Sequence, residues 1–290
     1  LPENLDSQLV PLEADFMNGT PMPALDADRI RSALQDPAEA LLRHLTVLPE
    51  TDSTNSAVNR LPSELQHGHA ILAERQTRGR GRRQRRWHSP PGGNLYLSLG
   101  WRFDSATQPL AVLPLVVAVC LSRALEAAGL DSHGIKWPND ILVGGRKLAG
   151  VLVELRSAGS GPALAVAGVG LNVVMPGNEE ANERIDQPWT DLATELEEKP
   201  ERLDRNPLAA TVLDRMLNGF ATFGETGFAS FEPDWRGRDL LRGRPVQLRI
   251  GRDRVAGTAR GISDDGGLLI ESANGDLRAF HSGEASVRHA

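Results

Sequence analysis

The sequence predicts an α+β fold, and three observations lead to this prediction. Residues 141–174 alternate strand-like apolar segments with short turns, which is typical of an antiparallel meander. The longest apolar run, residues 110–121, indicates a buried helix, because a proline interrupts it and it is shorter than the roughly 20 residues that a membrane span needs. After Trp235, short alternating segments with turns such as Asn274-Gly275 favour a small barrel.

Three regions are predicted along the chain. Residues 1–44 form an extension or linker with two short helices broken at Pro37, residues 45–236 form the main domain, and residues 237–290 form the barrel. The predicted elements are a strand at 45–48, a helix from 53 to about 61, strands at 69–73 and 94–99, a helix at 110–128, strands at 141–143, 147–155 and 163–174, and a helix at 206–232.

The composition narrows the class of protein. Hydrophobic residues make up 40% of the chain and charged residues 24%, the proportions of an ordinary globular protein. Cys120, the one cysteine, is predicted to be a buried thiol in a reducing compartment. The pair His67-x-His69 is too little to predict a metal site. The first residues lack a basic-then-apolar pattern, so no secretory signal is predicted and a cytoplasmic location is expected.

Residues 75–86 carry the strongest charge signal, with seven arginines and no acidic residue. The whole chain has a formal charge of −6, so without these seven positive charges the rest carries −13. Such an acidic body would repel a long polyanion, whose affinity depends on many phosphate contacts. Small-anion binding is therefore favoured, while nucleic-acid binding and a plain surface loop stay open as alternatives.

The residue types of this loop suit a phosphate or a carboxylate. Arginine recognises both groups in a planar, bidentate way, and Gly79 and Gly81 let the backbone approach a ligand closely. Trp87 at the end of the loop is suited to stack on a base or to cover an apolar ligand. The loop is not a Walker A motif, because the Gly-Lys-Ser/Thr ending is absent.

Ser53, Thr54 and Asn55 stand at the start of a predicted helix. They supply hydroxyls, an amide and free backbone N–H groups to whatever lies in front of the helix. Capping of the helix is the commoner role for such residues, and ligand binding is the alternative.

Two patterns in the meander carry polar groups among small or apolar residues. Lys147 begins an apolar strand, seven residues after Asp140 and across a glycine turn, so the two side chains are predicted to face the same side. The segment Gly168-x-Gly170-x-Asn172 ends another apolar strand. Its small residues leave room for a flat ring, and Asn172 is placed to contact an adenine edge.

Taken in order, these patterns resemble the sequence blocks of biotin–protein ligases, also called biotin–[acetyl-CoA-carboxylase] ligases, from about residue 47 to the C-terminus. The blocks are Asp52-Ser53-Thr54-Asn55, Gln76 with Gly79-Arg80-Gly81-Arg82 through Trp87, Lys136-Trp137-Pro138-Asn139-Asp140, Lys147-Leu148-Ala149-Gly150, and Gly168-Val169-Gly170-Leu171-Asn172. The resemblance implies a catalytic domain like that of class II tRNA synthetases, with a mixed, largely antiparallel sheet, at residues 45–236. It also implies an SH3-like β-barrel at residues 237–290.

The resemblance further implies a two-step reaction with ATP, biotin and Mg²⁺. The biotin carboxylate attacks the α-phosphate of ATP to give biotinyl-5′-adenylate and pyrophosphate. A lysine of a biotin carboxyl carrier protein then attacks the mixed anhydride and releases AMP. Neither a membrane nor a nucleic acid is an expected partner of this chain, unless a helix-turn-helix lies upstream of residue 1. A homodimer is a possible assembly.

The resemblance assigns roles to residues that match the blocks. The expected catalytic residues are Arg82, Lys147 and Asp140, and no protein metal ligands are expected. Biotin-binding residues are expected to be Ser53, Thr54, Asn55, Gln76, Gly79, Arg80, Gly81, Arg82 and Lys147. ATP- or adenylate-binding residues are expected to be Arg83, Arg85, Trp87, Lys136, Asn139, Asn172 and Arg288.

The loop departs from the family pattern at one position. Gln84 stands between Arg83 and Arg85, where the family usually has glycine. A side chain there reduces backbone freedom, so a different loop conformation is expected.

Overall fold

The structure is a computed structural model that describes residues 22–104, 109–157, 162–176 and 185–287. Its centre is a seven-stranded mixed sheet in which β1 and β2 run parallel and the other neighbours run antiparallel. The strands are β1 (His44–Leu48), β2 (His69–Ala73), β3 (Leu95–Phe103), β4 (His133–Lys136), β5 (Asp140–Val143), β6 (Arg146–Ser157) and β7 (Ala163–Leu171). Their order across the sheet is β1-β2-β3-β7-β6-β5-β4. The predicted α+β class is confirmed, and the predicted meander corresponds to β5 to β7. Strand β4, which was not predicted, pairs with β5 and extends the meander by one strand.

Eight α-helices are described around the two sheets of the structure. They are α1 (Ala27–Ser32), α2 (Ala38–Leu41), α3 (Thr54–Arg60), α4 (Ser63–Gln66), α5 (Leu113–Ala127), α6 (Leu192–Leu196), α7 (Arg205–Thr226) and α8 (Glu232–Arg238). The two short helices on either side of Pro37 and the strand at β1 agree with the sequence prediction.

The large sheet separates a core face from a second face that α3 covers. Successive side chains of a strand point to opposite faces. In β2, Leu72 belongs to the main core with α5 and α7, whereas Ile71 packs with Val58 of α3. In β3, Leu97 lies in the main core, whereas Ser98 contacts the start of α3. Polar groups are therefore gathered on the α3 face.

Helix α5 is the central helix of the main core. By length and composition alone, Leu110–Ala127 could cross a membrane. However, 67% of that stretch is buried inside the protein, and Val116 and Leu121 are fully buried, as in the core helix of a soluble domain. Cys120 is buried on the same helix, and burial raises the pKa of its thiol to about 12.

The single helix predicted over 206–232 is wrong in one respect. Helix α7 begins at Arg205 and buries Val212 and Met216 of the predicted apolar stripe, but it ends at Thr226. Gly227 then adopts a φ of +67°, which a right-handed helix cannot continue through, and α8 starts after a short 3₁₀ turn. Two helices therefore replace one.

The C-terminal region, predicted as a small barrel of short strands, forms a five-stranded antiparallel sheet. Its strands are β8 (Pro245–Ile250), β9 (Asp253–Ile262), β10 (Leu268–Glu271), β11 (Leu277–Phe280) and β12 (Glu284–Val287), in the order β11-β10-β9-β8-β12. Val246 and Leu248 point into its core, and Gly266 and Gly275 have positive φ values at the predicted hairpin turns. This sheet contacts the large domain through Trp137, whose indole N–H donates to the Gly266 carbonyl at 3.0 Å.

Candidate active site

A cavity with a volume of 1020 Å³ lies on the α3 face of the large sheet. Its lining includes every predicted site residue in the described part of the chain: Ser53, Thr54, Asn55, Gln76, Gly79, Arg80, Gly81, Arg82, Arg83, Arg85, Trp87, Lys136, Asn139, Asp140, Lys147 and Asn172. Arg288 lies outside the described residues. Blocks that are more than a hundred residues apart in sequence therefore share one cleft.

The start of α3 forms one end of the cleft. Ser53 occupies the N-cap position but makes no capping hydrogen bond with its side chain, so capping does not account for this residue. The Thr54 backbone N–H instead donates to Gln76 Oε1 at 2.9 Å, and Gln76 Nε2 donates to Ser89 Oγ at 3.1 Å. Ser53, Thr54 and Asn55 are all buried. This end of the cleft is therefore lined by small polar side chains, and hydrogen bonds to residues 76 and 89 fix its position.

The segment from residue 75 to 87, here called the Arg/Gly loop, folds back on itself over the cleft. The Trp87 backbone N–H donates to the Gly79 carbonyl at 2.9 Å, and the Gly81 N–H donates to the Arg85 carbonyl at 2.8 Å. A Cβ on Gly79 would lie 2.6 Å from the Trp87 carbonyl oxygen, so the close approach requires glycine. The loop thus forms a narrow hairpin.

Gln84 adopts a left-handed backbone conformation, which glycine tolerates better than a residue with a side chain. Its φ is +62°, and that of Arg83 is +55°, so two consecutive side-chain-bearing residues lie in the left-handed region. Glycine occupies this region without steric cost, whereas other residues are strained there. A side chain at position 84 was expected to restrict the backbone of the loop, and this geometry is consistent with such a restriction.

The arginines of the Arg/Gly loop differ in their surroundings. Arg80 forms an ion pair with Glu154 at 2.6 Å, and Arg85 forms one with Glu284 of β12 at 2.8 Å. Arg82 is half-buried, whereas Arg80 and Arg85 are exposed. This burial, followed by the charge of Arg83, lowers the pKa of the Arg82 guanidinium. Arg82 is therefore the loop cation best placed to meet an anion inside the cleft.

Trp87 occupies the space that glycines leave on the sheet. A Cβ on Gly170 would lie 2.5 Å from the Trp87 indole, and one on Gly150 would lie 3.0 Å from it. Room for a flat ring was predicted at Gly168 and Gly170, but at Gly170 the ring is this indole. At Gly168 the room is taken by the amide of Asn55. The indole thus forms a wall of the cleft.

Lys147 and Asp140 face each other across the β5–β6 hairpin, as their spacing predicts. The Lys147 Nζ lies 2.8 Å from Asp140 Oδ1, with the two side chains 15% and 20% exposed. The contact is an ion pair without hydrogen-bond alignment, since Asp140 Oδ1 is buried and has no aligned donor in the described structure. The Lys147 Nζ also lies 5.3 Å from the Trp87 ring centroid. Lys147 and Asp140 can therefore separate and bind a ligand instead of each other.

Two predicted adenine-binding residues donate hydrogen bonds from their amide nitrogens to backbone carbonyls of other segments. Asn139 Nδ2 donates to the Val151 carbonyl at 2.6 Å, and Asn172 Nδ2 donates to the Thr190 carbonyl at 2.9 Å. Asn172 Nδ2 also lies 3.5 Å from the Lys147 carbonyl, which occupies its second N–H, whereas Asn139 Nδ2 keeps one N–H. In both side chains the amide oxygen can accept a hydrogen bond from a ligand. The amino group of adenine is a donor of the kind that such an oxygen accepts.

Comparisons with known proteins give the family of the chain. A model described as the Biotin/lipoate A/B protein ligase family matches residues 47–172, and one described as the Biotin protein ligase C terminal domain matches residues 242–288. The bifunctional ligase/repressor BirA of Salmonella typhimurium is 38% identical over 93% of this chain and 80% of that protein. The chain belongs to the biotin protein ligase family.

Further relatives agree with this family. The biotin–[acetyl-CoA-carboxylase] ligase of Paracoccus denitrificans is 32% identical over 79% of this chain and 95% of that protein. The biotin protein ligase from Aquifex aeolicus in complex with biotin and ATP superposes with a TM-score of 0.71 at 30% identity, covering 86% of this chain and 100% of that chain. The predicted family, its class II synthetase-like fold with a C-terminal β-domain, and the ligase activity are confirmed.

Several residues in the lining of this biotin protein ligase cleft, or directly behind it, were missed from the sequence. Ser98 hydrogen-bonds to the start of α3, Glu154 and Glu284 pair with loop arginines, and Trp189 adds an aromatic ring to the lining. Ser98 and Glu154 sit in strands, and only the strand register shows that they face α3. The alternation of polar with apolar residues in β3 and β6 is the one sequence signal that could have found them.

The described residues provide no prepared metal centre. They contain no group of three His, Cys, Asp or Glu side chains that could hold a metal ion. Asp140 and Asp186 are separate carboxylates in the lining of the cleft. Mg²⁺ commonly binds through one or two carboxylates together with substrate phosphates. This donor set fits a Mg²⁺ ion carried by ATP rather than one held by a protein cage.

Proposed function

We propose that the cleft joins biotin to ATP as biotinyl-5′-adenylate and then transfers the biotinyl group to a lysine of a biotin carboxyl carrier protein, such as that of acetyl-CoA carboxylase. The observation that carries this proposal is that the α3 polar end, the Arg/Gly loop and the Lys147–Asp140 pair line a single cleft. The volume of 1020 Å³ is at the upper end of ordinary ligand pockets, as two substrates side by side require.

The start of α3 and the beginning of the Arg/Gly loop bind the biotin ureido ring and its surroundings. The ring carries one carbonyl acceptor and two N–H donors, so it needs both kinds of partner. The residues in this role are Ser53, Thr54, Asn55, Gln76, Gly79, Arg80 and Gly81. Their burial is what makes them selective, because a ligand without matching polar groups leaves them unpaired.

Arg82 and Lys147 act at the reacting atoms. Two anions must meet for adenylation, and cations placed beforehand lower the repulsion between them. A biotin carboxylate oxygen bonds to the α-phosphorus, the bond to the bridging oxygen of the β-phosphate breaks, and pyrophosphate leaves. In the second step the carrier lysine bonds to the acyl carbon and AMP leaves with the bonding electron pair. Asp140 orients the incoming amine and accepts its proton.

The adenylate half of the ligand lies toward Trp87 and the β5–β6 region. Trp87 covers the adenine, while Asn139 and Asn172 offer amide oxygens to it. Arg83, Arg85 and Lys136 line the phosphate path. Arg288, which lies outside the described residues, is assigned to the nucleotide by the resemblance to the family alone. The lining carboxylates Asp140 and Asp186 would be available to hold a Mg²⁺ ion that enters with ATP, and such an ion would neutralise part of the triphosphate charge.

The wider organisation follows the same assignment. Residues 45–236 are the catalytic domain, residues 237–290 the C-terminal domain, and residues 1–44 an extension. The enzyme works in the cytoplasm, where ATP and carrier proteins are present. No nucleic acid is assigned to this chain, and a homodimer stays a prediction.

Transfer to a carrier protein tests the proposal directly. The protein is incubated with ATP, biotin and a biotin carrier domain, and the carrier mass is measured. The expected result is one added biotinyl group on one lysine, absent when that lysine is replaced by arginine or when ATP is omitted. Thermal-shift measurements compare biotin with lipoate. Stabilisation by lipoate alone, with no biotinyl transfer, would refute the assignment in favour of a lipoate ligase.

A further inference from the structure

Glu154 of β6 lies behind the α3 end of the cleft and is not part of its lining. Its Oε2 accepts hydrogen bonds from Asn55 Nδ2 at 2.9 Å, from Asn59 Nδ2 at 3.3 Å and from Arg80 Nη2 at 2.6 Å. One carboxylate oxygen thus connects α3, the Arg/Gly loop and the large sheet. The Arg80 and Glu154 side chains are 40% and 30% exposed, so their attraction alone is modest.

The orientation of the Asn55 amide follows from these contacts. Its Nδ2 faces the Glu154 carboxylate and, at 3.3 Å, the Leu152 carbonyl. Both neighbours can only accept hydrogen bonds, so the amide nitrogen must point toward them and the amide oxygen toward Ser98 and Gly168 of the sheet. A Cβ at Gly168 would overlap Asn55 Oδ1, so the glycine is what allows this placement.

The position of the Asn55 amide oxygen fixes the direction of the hydrogen bonds that the Ser98 and Thr54 hydroxyls donate. Asn55 Oδ1 lies 2.6 Å from Ser98 Oγ and can only accept, so it receives the single Ser98 proton. Ser98 Oγ lies 2.7 Å from Thr54 Oγ1. Because the Ser98 proton is already used, the Thr54 hydroxyl donates to Ser98. Gln76 Oε1, 3.3 Å from Thr54 Oγ1, is satisfied by the Thr54 backbone N–H at 2.9 Å.

Thr54 is left with only lone pairs for a ligand, which makes it a hydrogen-bond acceptor in the cleft. An acceptor at this position matches a ureido N–H and has no partner in an apolar dithiolane ring. We propose that Glu154 is a positioning residue that sets the hydrogen-bond polarity of the ureido pocket through Asn55 and Ser98 and anchors Arg80 beside it. This role rests on the proposed function, because it assigns a task within biotin recognition.

A double-mutant cycle between Glu154→Ala and Thr54→Val tests this role. Biotin-dependent exchange of labelled pyrophosphate into ATP gives KM for each substrate. Glu154→Ala should raise KM for biotin by roughly tenfold, the effect of losing one charge-assisted hydrogen-bond network, and leave KM for ATP unchanged. In the double variant the combined increase should be well below the product of the single increases, because Glu154 acts partly through Thr54.

Glu50→Ala is the matched control, since Glu50 pairs with Arg75 of the same loop at 2.9 Å but is not among the residues that line the cleft. It should leave both KM values at the parental level. Glu154→Gln is the gentler variant: its amide oxygen can still accept from Asn55, but it cannot form the Arg80 ion pair, so an intermediate KM for biotin is expected.

The outcomes separate the two proposals. No biotin-dependent exchange in the parent protein would refute the proposed function itself. Normal exchange in the parent would instead overturn the role of Glu154 if KM for biotin stays parental in both Glu154 variants. Equal increases in KM for biotin and ATP, or a strictly multiplicative double variant, would also overturn it, since either result indicates general loosening rather than polarity set through Thr54.

Discussion

The two walls of the cleft are held in different ways. On the sheet wall, Asn139 and Asn172 are tied to backbone carbonyls, and Lys147 is paired with Asp140 on a hairpin. On the loop wall, the arginines are partly exposed, and Arg80 and Arg85 reach their partners at the protein surface. A rigid wall suits groups that must be in place before the substrates arrive, whereas a loop suits groups that close over them afterwards.

The root of the Arg/Gly loop belongs to the rigid wall. Glu74 is the residue directly before the loop. Its carboxylate accepts hydrogen bonds from the Arg205 guanidinium at 2.8 and 3.2 Å, and the Arg205 side chain is only 1% exposed. The same guanidinium donates to the Pro23 carbonyl at 3.1 Å and so fastens the segment before α1. The loop therefore emerges from a firmly held point.

The largest expected effect lies on the sheet wall. Lys147→Ala should lower the rate of adenylation by roughly a hundredfold to a thousandfold, because a fixed charge at the reacting phosphate is lost. Initial rates of biotinyl-adenylate formation measure it. Lys199→Ala, which removes an exposed lysine outside the cleft, is the control and should retain parental rates. A Lys147→Ala variant with normal turnover would show that the sheet wall carries no essential charge.

The next effect is on the free energy of unfolding and tests whether Glu74, directly before the Arg/Gly loop, is held rigidly. Glu74→Ala should lower the free energy of unfolding by about 3–5 kcal/mol, because it leaves the buried Arg205 charge without its carboxylate. Urea denaturation measures the change. Glu50→Ala removes the partner of the adjacent Arg75 in an exposed pair, and it should change stability by less than about 1 kcal/mol. Equal effects of the two substitutions would contradict this difference.

Arg82→Ala tests the loop wall. Loss of this partly buried cation should speed release and hydrolysis of the adenylate by roughly tenfold, which corresponds to about 1.4 kcal/mol in the barrier. The measurement is biotin release from the enzyme–adenylate complex in the absence of a carrier. Arg236→Ala, at an exposed pair on α8, serves as the control. Identical hydrolysis in the Arg82 variant and the parent would argue that the loop does not shield the anhydride.

The smallest effect probes the contact between the two walls. Gly170→Ala would place a methyl group 2.5 Å from the Trp87 indole and push this loop residue away from the sheet. KM for ATP should rise about fivefold, which corresponds to about 1 kcal/mol, because the loop can yield to the added volume. Gly237→Ala adds a methyl where nothing lies within 4 Å and should leave KM for ATP unchanged. A normal KM in the Gly170 variant would place the adenine elsewhere.

The sequence predicted the parts of the site that depend on short spacings. Lys147 and Asp140 are joined by a tight hairpin, so their pairing follows from the turn and the strand period alone. The elements of the meander and the start of α3 likewise carry strong local signals. The break after Thr226 was missed because the apolar stripe of α7 continues toward Phe228 and Phe231, which hid the turn at Gly227.

The contacts between distant strands could not be predicted in the same way. Ser98 and Glu154 reach α3 only because β3 and β6 both pair with β7 in one particular register. The same limit applies to Trp87, whose indole fills the space above two sheet glycines. Spacing within a strand shows which side a residue faces, but not which element covers that side.

Exchange of labelled pyrophosphate into ATP measures the central claim most directly, because it detects reversible adenylate formation without a carrier protein. The account predicts that label enters ATP only when biotin is present, and that Lys147→Ala suppresses the exchange while Lys199→Ala does not. An absence of exchange with biotin, or exchange that lipoate alone supports, would contradict it.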